Sequence, residues 1–448
     1  MKFHSEPVPE HGDVPLSDDG KLEALLERWT PNPAGDGENR CFVASIGDWA
    51  SDSSRQAQLA EIRSLVAAQG DRVVGSESFR HRRSNPKTLI GRGVADAIAE
   101  RARNVDANMV VVDVELSPSQ TRNLEEAIAF PICDREAVIL NVFLRSARTR
   151  KAKIQVEIAH LEFLRPRIRG VGLSMDQQAG GVMGSRGPGE TASELFSRKI
   201  DGRINELRKS FARLERSGQV QRSGRVDCER VALVGYTNAG KTTLMNALAG
   251  ESLSARDRPF ETLDTTSRML SGHGGDVILS DTVGFIRRLP SRLLASFETT
   301  LAEASEASLL AIALDASDPE WSMHLETTNE VLERLGLGET PRFYVFNKMD
   351  KFYGRRDAFE RMAGSVPHRF VSGTCAEDIV ELRAALLSTV RRSELRRNVF
   401  VPYTRTDLTA AIYRDTRVLS SECQADGVTY TIAGKHHVIE AIIRGAQV

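Results

Sequence analysis

Apolar and polar positions along residues 39–150 alternate between two periods. Short apolar runs such as Cys41–Ile46 have the character of buried strands, and stretches such as Gln56–Gln69 repeat apolar residues at helical spacing. Ser117 before Pro118 is typical of a helix start, with a hydroxyl N-cap and proline at the first helical position. Strands that alternate with helices predict a small parallel sheet covered by helices.

The hydrophobic period changes over residues 151–225. Apolar residues there follow the 4-3-4-3 spacing of a coiled-coil seam, at Ile200, Ile204, Leu207, Phe211 and Leu214. Residues 180–190 contain five glycines and a proline, which forbid regular structure. Two helices joined by such a loop predict an antiparallel α-hairpin.

The predicted hairpin is basic. Residues 151–225 contain 15 Lys and Arg against 8 Asp and Glu, whereas the whole chain has a net charge of −1. A cationic excess beside a glycine-rich tip is typical of an arm that contacts RNA phosphates. The alternative is a solvated helical linker whose cations only keep it soluble. The excess of one sign and the length of the glycine loop favour RNA contact.

The composition narrows the class of protein. A hydrophobic content of 41% and a charged content of 27% are typical of globular proteins, and 448 residues exceed one ordinary core. The five cysteines form no CxxC pair and no Cys/His cluster, so neither a disulfide framework nor a zinc site is indicated. No signal-peptide core or long apolar run is present, which predicts a cytoplasmic protein without integral membrane contact.

A glycine-bounded loop lies between a predicted strand and a predicted helix. Its residues are Gly235, Tyr236, Thr237, Asn238, Ala239, Gly240, Lys241 and Thr242. The apolar run Val231–Val234 precedes it and the helical stretch Leu244–Leu248 follows, which is the context of a phosphate-binding P-loop. Loop N–H groups and the helix N-terminus would bind phosphate. Lys241 would reach the β- and γ-phosphates, and the Thr242 hydroxyl would ligate Mg²⁺.

Two further motifs follow in the order of the switch regions of nucleotide hydrolases. They comprise Phe260, Glu261, Thr262, Leu263 and Asp264, and then Asp281, Thr282, Val283 and Gly284. Thr262 would complete the Mg²⁺ coordination and sense the γ-phosphate. Asp281 would hold Mg²⁺ through water, and the Gly284 N–H would contact the γ-phosphate.

The last two motifs select the base. They comprise Asn347, Lys348, Met349 and Asp350, and then Ser372 and Gly373. A carboxylate at Asp350 accepts from both N1–H and N2–H₂ of guanine, whereas adenine offers no matching donors. The backbone at Ser372 and Gly373 would contact guanine O6. Five motifs in this order, each at a strand end, predict a site that binds and hydrolyses GTP.

Phe285 stands where Ras-like GTPases carry the glutamine that orients the attacking water. Phenylalanine cannot hydrogen-bond water, so the backbone, another residue or a bound partner must position it. The Asn238 carbonyl would ligate K⁺ between the α- and γ-phosphates in place of an arginine finger. The alternative is that Asn238 only caps its own loop. The candidate catalytic residues are Lys241, Thr262, Gly284 and Asn238.

Together these patterns predict an α/β multidomain fold with five parts. The parts are a disordered tail at 1–38, an N-terminal β/α domain at 39–150, the basic antiparallel α-hairpin with its Gly-rich loop at 151–225, a P-loop GTPase domain with a doubly wound, mostly parallel sheet at 226–395, and a small C-terminal α+β domain at 396–448. The last part shows no chemistry of its own. Its adjacent His436 and His437 point to different faces and are expected at the surface.

From about residue 40 to 448 the chain resembles the HflX GTPases of the Obg-HflX group. The resemblance is carried by the P-loop, by Asp281–Ile286 with Leu289 and Pro290, and more specifically by Glu115–Pro118 with Gln120, Arg122–Glu125, Gln155–Glu157, Gly180 with Gly181, and Arg186–Glu190. Thr265 follows Asp264 where that family has a proline, and Gly373 stands where alanine is usual. A divergent paralogue is therefore the alternative.

The resemblance implies binding of the large ribosomal subunit, with the hairpin loop reaching 23S rRNA near the peptidyl-transferase region. It also implies GTP-dependent splitting or rescue of stalled ribosomes under stress. Members of the family resemble cation-aided GTPases with a hydrophobic residue in place of the glutamine, which agrees with Phe285 and Asn238. Two alternatives stay open: a GTPase of RNA modification or ribosome assembly, and a nucleotide-gated RNA-binding module with incidental hydrolysis. We expect a monomer.

Overall fold

The computed structural model of the chain describes residues 39–81, 84–178, 192–223, 229–250, 266–270, 277–282, 284–290, 293, 307–391, 395–434 and 436–446. The predicted tail at 1–38, the hairpin loop at 180–190, the motif Phe260–Asp264 and Val283 lie outside the described residues. The described part contains a four-stranded, a six-stranded and a three-stranded sheet.

The four-stranded sheet forms the N-terminal domain. Its strands are β1 (Arg40–Gly47), β2 (Arg72–Arg80), β3 (Met109–Val112) and β4 (Ile132–Asp134), all parallel, in the order β2-β1-β3-β4. Its helices are α1 (Asp52–Ala68), α2 (Arg92–Asn104), α3 (Pro118–Ile128) and α4 (Arg135–Ser146). Cys41 and Val43 belong to the apolar cluster that includes α1 and α4, whereas Phe42 and Ala44 belong to the cluster that includes α2 and α3. Helices cover both faces, which explains the unbroken apolar run of β1.

Helix α3 begins as Ser117 and Pro118 predict. The Gln120 N–H donates to Ser117 Oγ at 3.2 Å, and the Ser117 N–H donates to Gln120 Oε1 at 2.9 Å. This reciprocal pair is a capping box, which satisfies two backbone donors at the helix start.

The hairpin consists of α5 (Arg150–Gln178) and α6 (Ala192–Ser223). The ammonium of Lys151 lies 5.5 Å from the centre of the Phe211 ring, and Arg165 Nη2 lies 2.8 Å from Asp201 Oδ2. Because the later residue of α5 pairs with the earlier residue of α6, the helices are antiparallel. The predicted seam is buried at Ile200, Ile204 and Leu207.

The six-stranded sheet forms the GTPase domain. Its strands are β5 (Glu229–Gly235), β6 (Thr266–Leu270), β7 (Val277–Asp281), β8 (Leu309–Asp315), β9 (Arg342–Asn347) and β10 (His368–Phe370), in the order β10-β9-β8-β5-β7-β6. Only β6 is antiparallel to its neighbour. Its helices are α7 (Lys241–Ala249), α8 (Trp321–Arg334), α9 (Asp357–Ala363) and α10 (Ala376–Arg391). Strand β5 lies between β7 and β8, so its carboxyl end is a topological switch point, where open α/β sheets bind ligands.

The three-stranded sheet forms the C-terminal domain. Its strands are β11 (Leu395–Pro402), β12 (Arg417–Cys423) and β13 (Gly427–Gly434), antiparallel in the order β11-β13-β12, and its helices are α11 (Thr406–Asp415) and α12 (His436–Ala446). Val401, Ile412, Ile432 and Ile439 form its core. The predicted fold class, an α/β multidomain protein with a P-loop domain and a small α+β domain, is confirmed. No helix in the described part is long and apolar enough to cross a membrane.

Candidate functional site

The P-loop joins β5 to α7 and requires glycine at both ends. Gly235 has φ +146°, and a Cβ there would overlap the Ala313 carbonyl oxygen. Gly240 has φ +84°, and a Cβ there would overlap the side-chain amide of Asn347. Asn238 between them has φ +62°, a left-handed conformation that asparagine adopts more readily than most residues. The loop can therefore approach a ligand with its backbone.

Lys241 lies under the loop as the first residue of α7. Its Nζ donates to the carbonyl oxygens of Gly235 at 3.0 Å and Tyr236 at 2.8 Å. Burial lowers the pKa of the Lys241 ammonium to about 8, and the charge of Asp281 opposes that shift. The ammonium is thus held where a phosphate on the loop would meet it.

Gly284 faces Lys241 from the segment after β7. A Cβ at Gly284 would lie 2.9 Å from Thr237 Cγ2 and 3.0 Å from Lys241 Nζ, so only glycine fits there without displacing the loop. The Thr237 N–H donates to the Phe285 carbonyl oxygen at 2.7 Å, and the Phe285 N–H donates to the Gly235 carbonyl oxygen at 3.0 Å. These two bonds join the second switch segment to the P-loop.

The Phe285 side chain is buried in an apolar core. It is 2% exposed and belongs to the cluster that also contains Val66 of α1 and Val142 of α4. A ring in this position has no polar atom and cannot orient a water molecule. The expectation that the group after Gly284 does not act as the Ras-like glutamine therefore has a packing reason as well as a chemical one.

Thr242 and Asp281 have the chemistry that Mg²⁺ requires. The Thr242 hydroxyl donates to Asp281 Oδ2 at 3.0 Å, and Asp281 is fully buried at the end of β7. Hydroxyl and carboxylate oxygens are hard ligands, and Mg²⁺ sites in phosphate-binding proteins use one or two protein carboxylates beside phosphates and water. The two residues therefore fit a Mg²⁺ ion. The third predicted ligand, Thr262, lies outside the described residues.

Asn347 joins the P-loop to the loop that contains Gly373, one of the two loops predicted to bind the base. Its Nδ2 donates to the Ala239 carbonyl oxygen at 2.9 Å, and its Oδ1 accepts from the Gly373 N–H at 3.0 Å. The side chain is 2% exposed, so both bonds are shielded from water. Because one amide touches both loops, the phosphate side and the base side of the site are held in a fixed relation.

Asp350 is exposed at the edge of this site. It lies in a short 3-10 helix, Met349–Lys351, and its Oδ1 accepts from the Ser372 hydroxyl at 2.7 Å. Lys348 has φ +60° and its ammonium lies 2.8 Å from Asp315 Oδ2, which anchors the start of the motif. The carboxylate of Asp350 is therefore oriented by a hydroxyl and open to a base.

The described members of the predicted site gather at one edge of the sheet. They are Gly235–Thr242, Asp281, Thr282, Gly284, Asn347–Asp350, Ser372 and Gly373. The remaining predicted members, Phe260–Asp264 and Val283, lie outside the described residues.

The side chain of Tyr236 faces away from the loop. Its hydroxyl donates to Glu61 of α1 at 2.5 Å and accepts from the Arg287 N–H at 2.8 Å, and its ring stacks on His324 at 3.8 Å. Burial, together with the charge of Glu61, raises the pKa of Tyr236, which keeps its hydroxyl a proton donor. Burial lowers the pKa of His324, so its ring is neutral against the tyrosine.

Glu61 was not among the predicted site residues. It shares the helical face of Gln58 and Leu65, three and four residues away, both of which are buried. An acidic residue on an apolar helix face was the available signal, but nothing in the sequence indicated its partner.

Three family models match consecutive parts of the chain. Residues 56–144 match the family described as GTP-binding GTPase N-terminal, residues 146–225 match GTP-binding GTPase middle region, and residues 230–348 match 50S ribosome-binding GTPase. Together they cover more than half of the chain.

Two curated relatives align with this chain over nearly their whole length. The GTPase HflX of Gluconacetobacter diazotrophicus is 37% identical over 418 residues, which is 84% of this chain and 90% of that one. The GTPase HflX of Akkermansia muciniphila is 38% identical over 411 residues, 87% of this chain and 92% of that one. A solved GTP-binding protein from Sulfolobus solfataricus in complex with GDP is 20% identical, covers 78% of this chain and 99% of its own, and has a TM-score of 0.42.

The geometry of the site and the family matches lead to the same activity. The described residues form a glycine-bounded loop with a lysine beneath it and an exposed carboxylate at the edge of the same site, and residues 230–348 match the family described as 50S ribosome-binding GTPase. The chain binds GTP and hydrolyses it, and it belongs to the HflX family of GTPases.

Proposed function

We propose that this GTPase binds the large ribosomal subunit and splits or rescues stalled ribosomes in a GTP-dependent cycle. The observation that carries the proposal is the combination in one chain of a domain matching the 50S ribosome-binding GTPases with the N-terminal and middle regions of the same family. A nucleotide switch joined to a basic arm is suited to a cycle of RNA binding and release.

The basic hairpin is the proposed contact with 23S rRNA. Exposed cationic side chains lie along α6 at Arg198, Arg203, Arg208, Lys209, Arg213 and Arg216. Arg203 and Arg208 pair with Glu157 and Glu162 of α5, yet their side chains remain 52% and 61% exposed. Such exposed ion pairs contribute little to stability, so their guanidinium groups can exchange carboxylates for phosphates at small cost.

We propose a role towards the nucleotide for each described residue of the site, and their positions support it. Lys241 binds the β- and γ-phosphates, the Gly284 N–H contacts the γ-phosphate, and Asp350 pairs with guanine. Thr242 and Asp281 would hold Mg²⁺, which neutralises charge on the phosphates when it is bound. Thr262 is proposed to complete this set.

Asn238 is the proposed ligand for a K⁺ ion beside the phosphates. It is exposed within the loop, and its backbone has a left-handed conformation with φ +62°. A fixed cation near the γ-phosphate would stabilise the charge of the transition state. This role would compensate for Phe285, whose ring lies in the core.

The test is sedimentation of intact 70S particles with the purified full-length protein. We expect GTP to give separated subunits with the protein on the large one, and a non-hydrolysed analogue to trap that complex. A variant with Lys209, Arg213 and Arg216 changed to Gln should bind less well and show a shallower salt dependence, by about 0.7 to 0.9 in log–log slope per lost phosphate contact. Changing Arg92, Arg355 and Arg396, which are exposed on other surfaces, is the control.

Intact 70S particles with both nucleotides would overturn the splitting activity. Association with immature subunits or a modifying enzyme would instead assign the chain to RNA modification or ribosome assembly. RNA binding that depends on the nucleotide but is indifferent to hydrolysis would leave a gated RNA-binding module.

A further inference from the structure

One carboxylate of the N-terminal domain contacts the GTPase domain at its P-loop. The Tyr236 hydroxyl donates to Glu61 Oε2 at 2.5 Å, and Arg287 Nε lies 3.6 Å from the same oxygen. Arg135, also in the N-terminal domain, donates through Nη2 to Glu61 Oε1. The Glu61 side chain is 14% exposed, so Arg135 and Arg287, rather than water, compensate most of its negative charge.

The same groups hold the backbone of Arg287, three residues after Gly284. The Arg287 N–H donates to the Tyr236 hydroxyl oxygen at 2.8 Å, and the Arg287 carbonyl oxygen accepts from Arg135 Nη2 at 2.7 Å. The Arg287 guanidinium lies 3.0 Å from the carboxylate of Glu320, the N-cap residue of α8. The segment that leads away from Gly284 is therefore tied to both domains.

Arg135 is itself fixed within the N-terminal domain. Its Nη1 donates to Asp113 Oδ1 at 2.5 Å, and Asp113 Oδ2 accepts from Gln58 Nε2 at 2.7 Å. The side chains of Arg135 and Asp113 are 2% and 0% exposed. A buried charge that loses its partner is strongly unfavourable, so Arg135 cannot follow Arg287 into a new position without a larger rearrangement.

The residue before Arg135 continues this line of contacts into the hairpin. Asp134 accepts from the Ala137 N–H at 2.9 Å, which caps α4, and from Arg167 Nη2 at 2.8 Å. Arg167 lies on α5, the first helix of the hairpin, and also donates to the Leu116 carbonyl oxygen at 3.0 Å. Buried polar contacts thus connect the neighbourhood of Gly284 with the middle of α5 in the hairpin.

We propose that Glu61 and Tyr236 are positioning residues for the GTPase reaction, which hold residues 285–287 against the N-terminal domain. When the Gly284 N–H engages the γ-phosphate, this segment is drawn towards the nucleotide, and its bonds to Tyr236 and Arg135 lengthen or break. The proposal deepens the proposed function, because it takes from there the roles of Gly284 and of the hairpin as the binding arm.

By thermodynamic linkage, the coupling also acts from the hairpin towards the nucleotide. If GTP weakens the contact of Arg287 with Glu61 and Arg135, then displacement of the hairpin favours GTP over GDP by the same factor. A partner on the hairpin would in this way set the nucleotide state without touching the nucleotide. Glu61 and Tyr236, together with Arg135, are the side chains through which that effect passes.

The experiment uses the full-length protein with nucleotides alone. Tyr236→Phe removes the hydroxyl and keeps the ring that stacks on His324, and Glu61→Gln removes the charge and keeps the shape. We expect each to raise the affinity for a GTP analogue relative to GDP by about 3- to 10-fold, the range of typical coupling between sites. The double variant should show little further change, because both substitutions break one connection.

Amide hydrogen exchange of α5 supplies a readout that a purely structural role would not move. In the wild type, exchange over Arg150–Gln178 should differ between the GTP-analogue and GDP states, and Tyr236→Phe should remove most of that difference. Tyr353→Phe is the matched control, since Tyr353 is 95% exposed in the same domain. A wild type without this difference, or variants that change both nucleotide affinities equally, would overturn the proposal. No ribosome enters this test, so its failure is distinct from failure of ribosome splitting.

Discussion

The ammonium of Lys241 donates to the main-chain carbonyl oxygen of Tyr236 at 2.8 Å, inside the loop that is proposed to wrap the phosphates. Burial lowers its pKa to about 8, against the opposing charge of Asp281. Phosphate oxygens would take the place of the carbonyl and raise that pKa, because they put negative charge beside the ammonium. Nucleotide binding and protonation of Lys241 are therefore coupled.

We expect the affinity for GTP to fall as the pH rises above about 8. Below that pH the free protein already carries the cation, whereas above it binding must take up a proton, which lowers affinity by up to about tenfold per pH unit. Calorimetry in two buffers of different ionisation enthalpy measures the uptake. Lys241→Arg stays protonated and should show none. Equal uptake in both proteins would assign the proton to another group.

Asp350→Asn should move the base preference from guanine towards xanthine. The substitution removes the negative charge of the side chain. In the wild type Asp350 Oδ1 accepts from the Ser372 hydroxyl at 2.7 Å, and the amide oxygen of asparagine can accept the same bond, so the loop should keep its shape. Hydrogen bonds to a charged acceptor contribute about 1.5–3 kcal/mol, so GTP affinity should fall by about 10- to 100-fold. Competition between GTP and XTP measures the change. Asp357→Asn, on the neighbouring α9, is the control, and an unchanged preference would place the base elsewhere.

Asn238→Gly should abolish the dependence of hydrolysis on K⁺. Glycine adopts the φ of +62° without strain, so the substitution removes the side-chain carbonyl that is proposed to bind K⁺ and leaves the loop conformation in place. The wild type should turn over GTP faster in K⁺ than in Na⁺, and the variant should not distinguish the two salts. Steady-state hydrolysis at equal ionic strength decides this. Equal wild-type rates would mean that Asn238 only caps its loop.

Arg167→Leu should destabilise the N-terminal domain strongly. It leaves the Asp134 carboxylate, 2% exposed, without its ion-pair partner, and such a loss typically costs about 3–5 kcal/mol. Arg208→Leu removes a 61% exposed guanidinium paired with Glu162 and should cost less than about 1 kcal/mol. Urea unfolding, monitored through hydrogen exchange of the β1 to β4 amides, measures the free energy of unfolding of both variants. Similar losses of stability in both variants would show that the buried ion pair contributes no more than the exposed one.

The parts of the molecule that sequence predicted well are governed by near neighbours. Ser117, Pro118 and Gln120 form their capping box within four residues, and the P-loop glycines are set by the turn from β5 into α7. Glu61 lies 74 positions before Arg135, which the packing of the N-terminal domain brings to it, and 175 before Tyr236, which only the docking of two domains brings to it. Periodicity placed Glu61 on a helix but carried no information about what that helix meets.

Strand lengths also depend on distant parts of the chain, which the sequence does not reveal. The apolar run at the start of β2 ends at Val74, yet the strand continues through Gly75–Arg80 because the backbone of β1 pairs with those residues as well. In the C-terminal domain the sequence from Val399 predicts a strand, the helix Asp407–Arg414, strands around Val428–Ile432 and a closing helix. Arg417–Cys423 is a strand as well, with polar residues that pair through their backbone. Backbone pairing, which has no side-chain signature, decided both.

The burial of Phe285 has a consequence for how this enzyme can change over time. A Ras-like glutamine at this position would bring an amide into a core that continues to Val66 and Val142, at a cost of about 1–3 kcal/mol for an unpaired polar group. A loss of that size is a large fraction of the stability of a typical protein. The packing of this core therefore opposes a glutamine at position 285, and the attacking water has to be positioned by the backbone, by another residue or by a bound partner for as long as the core is kept.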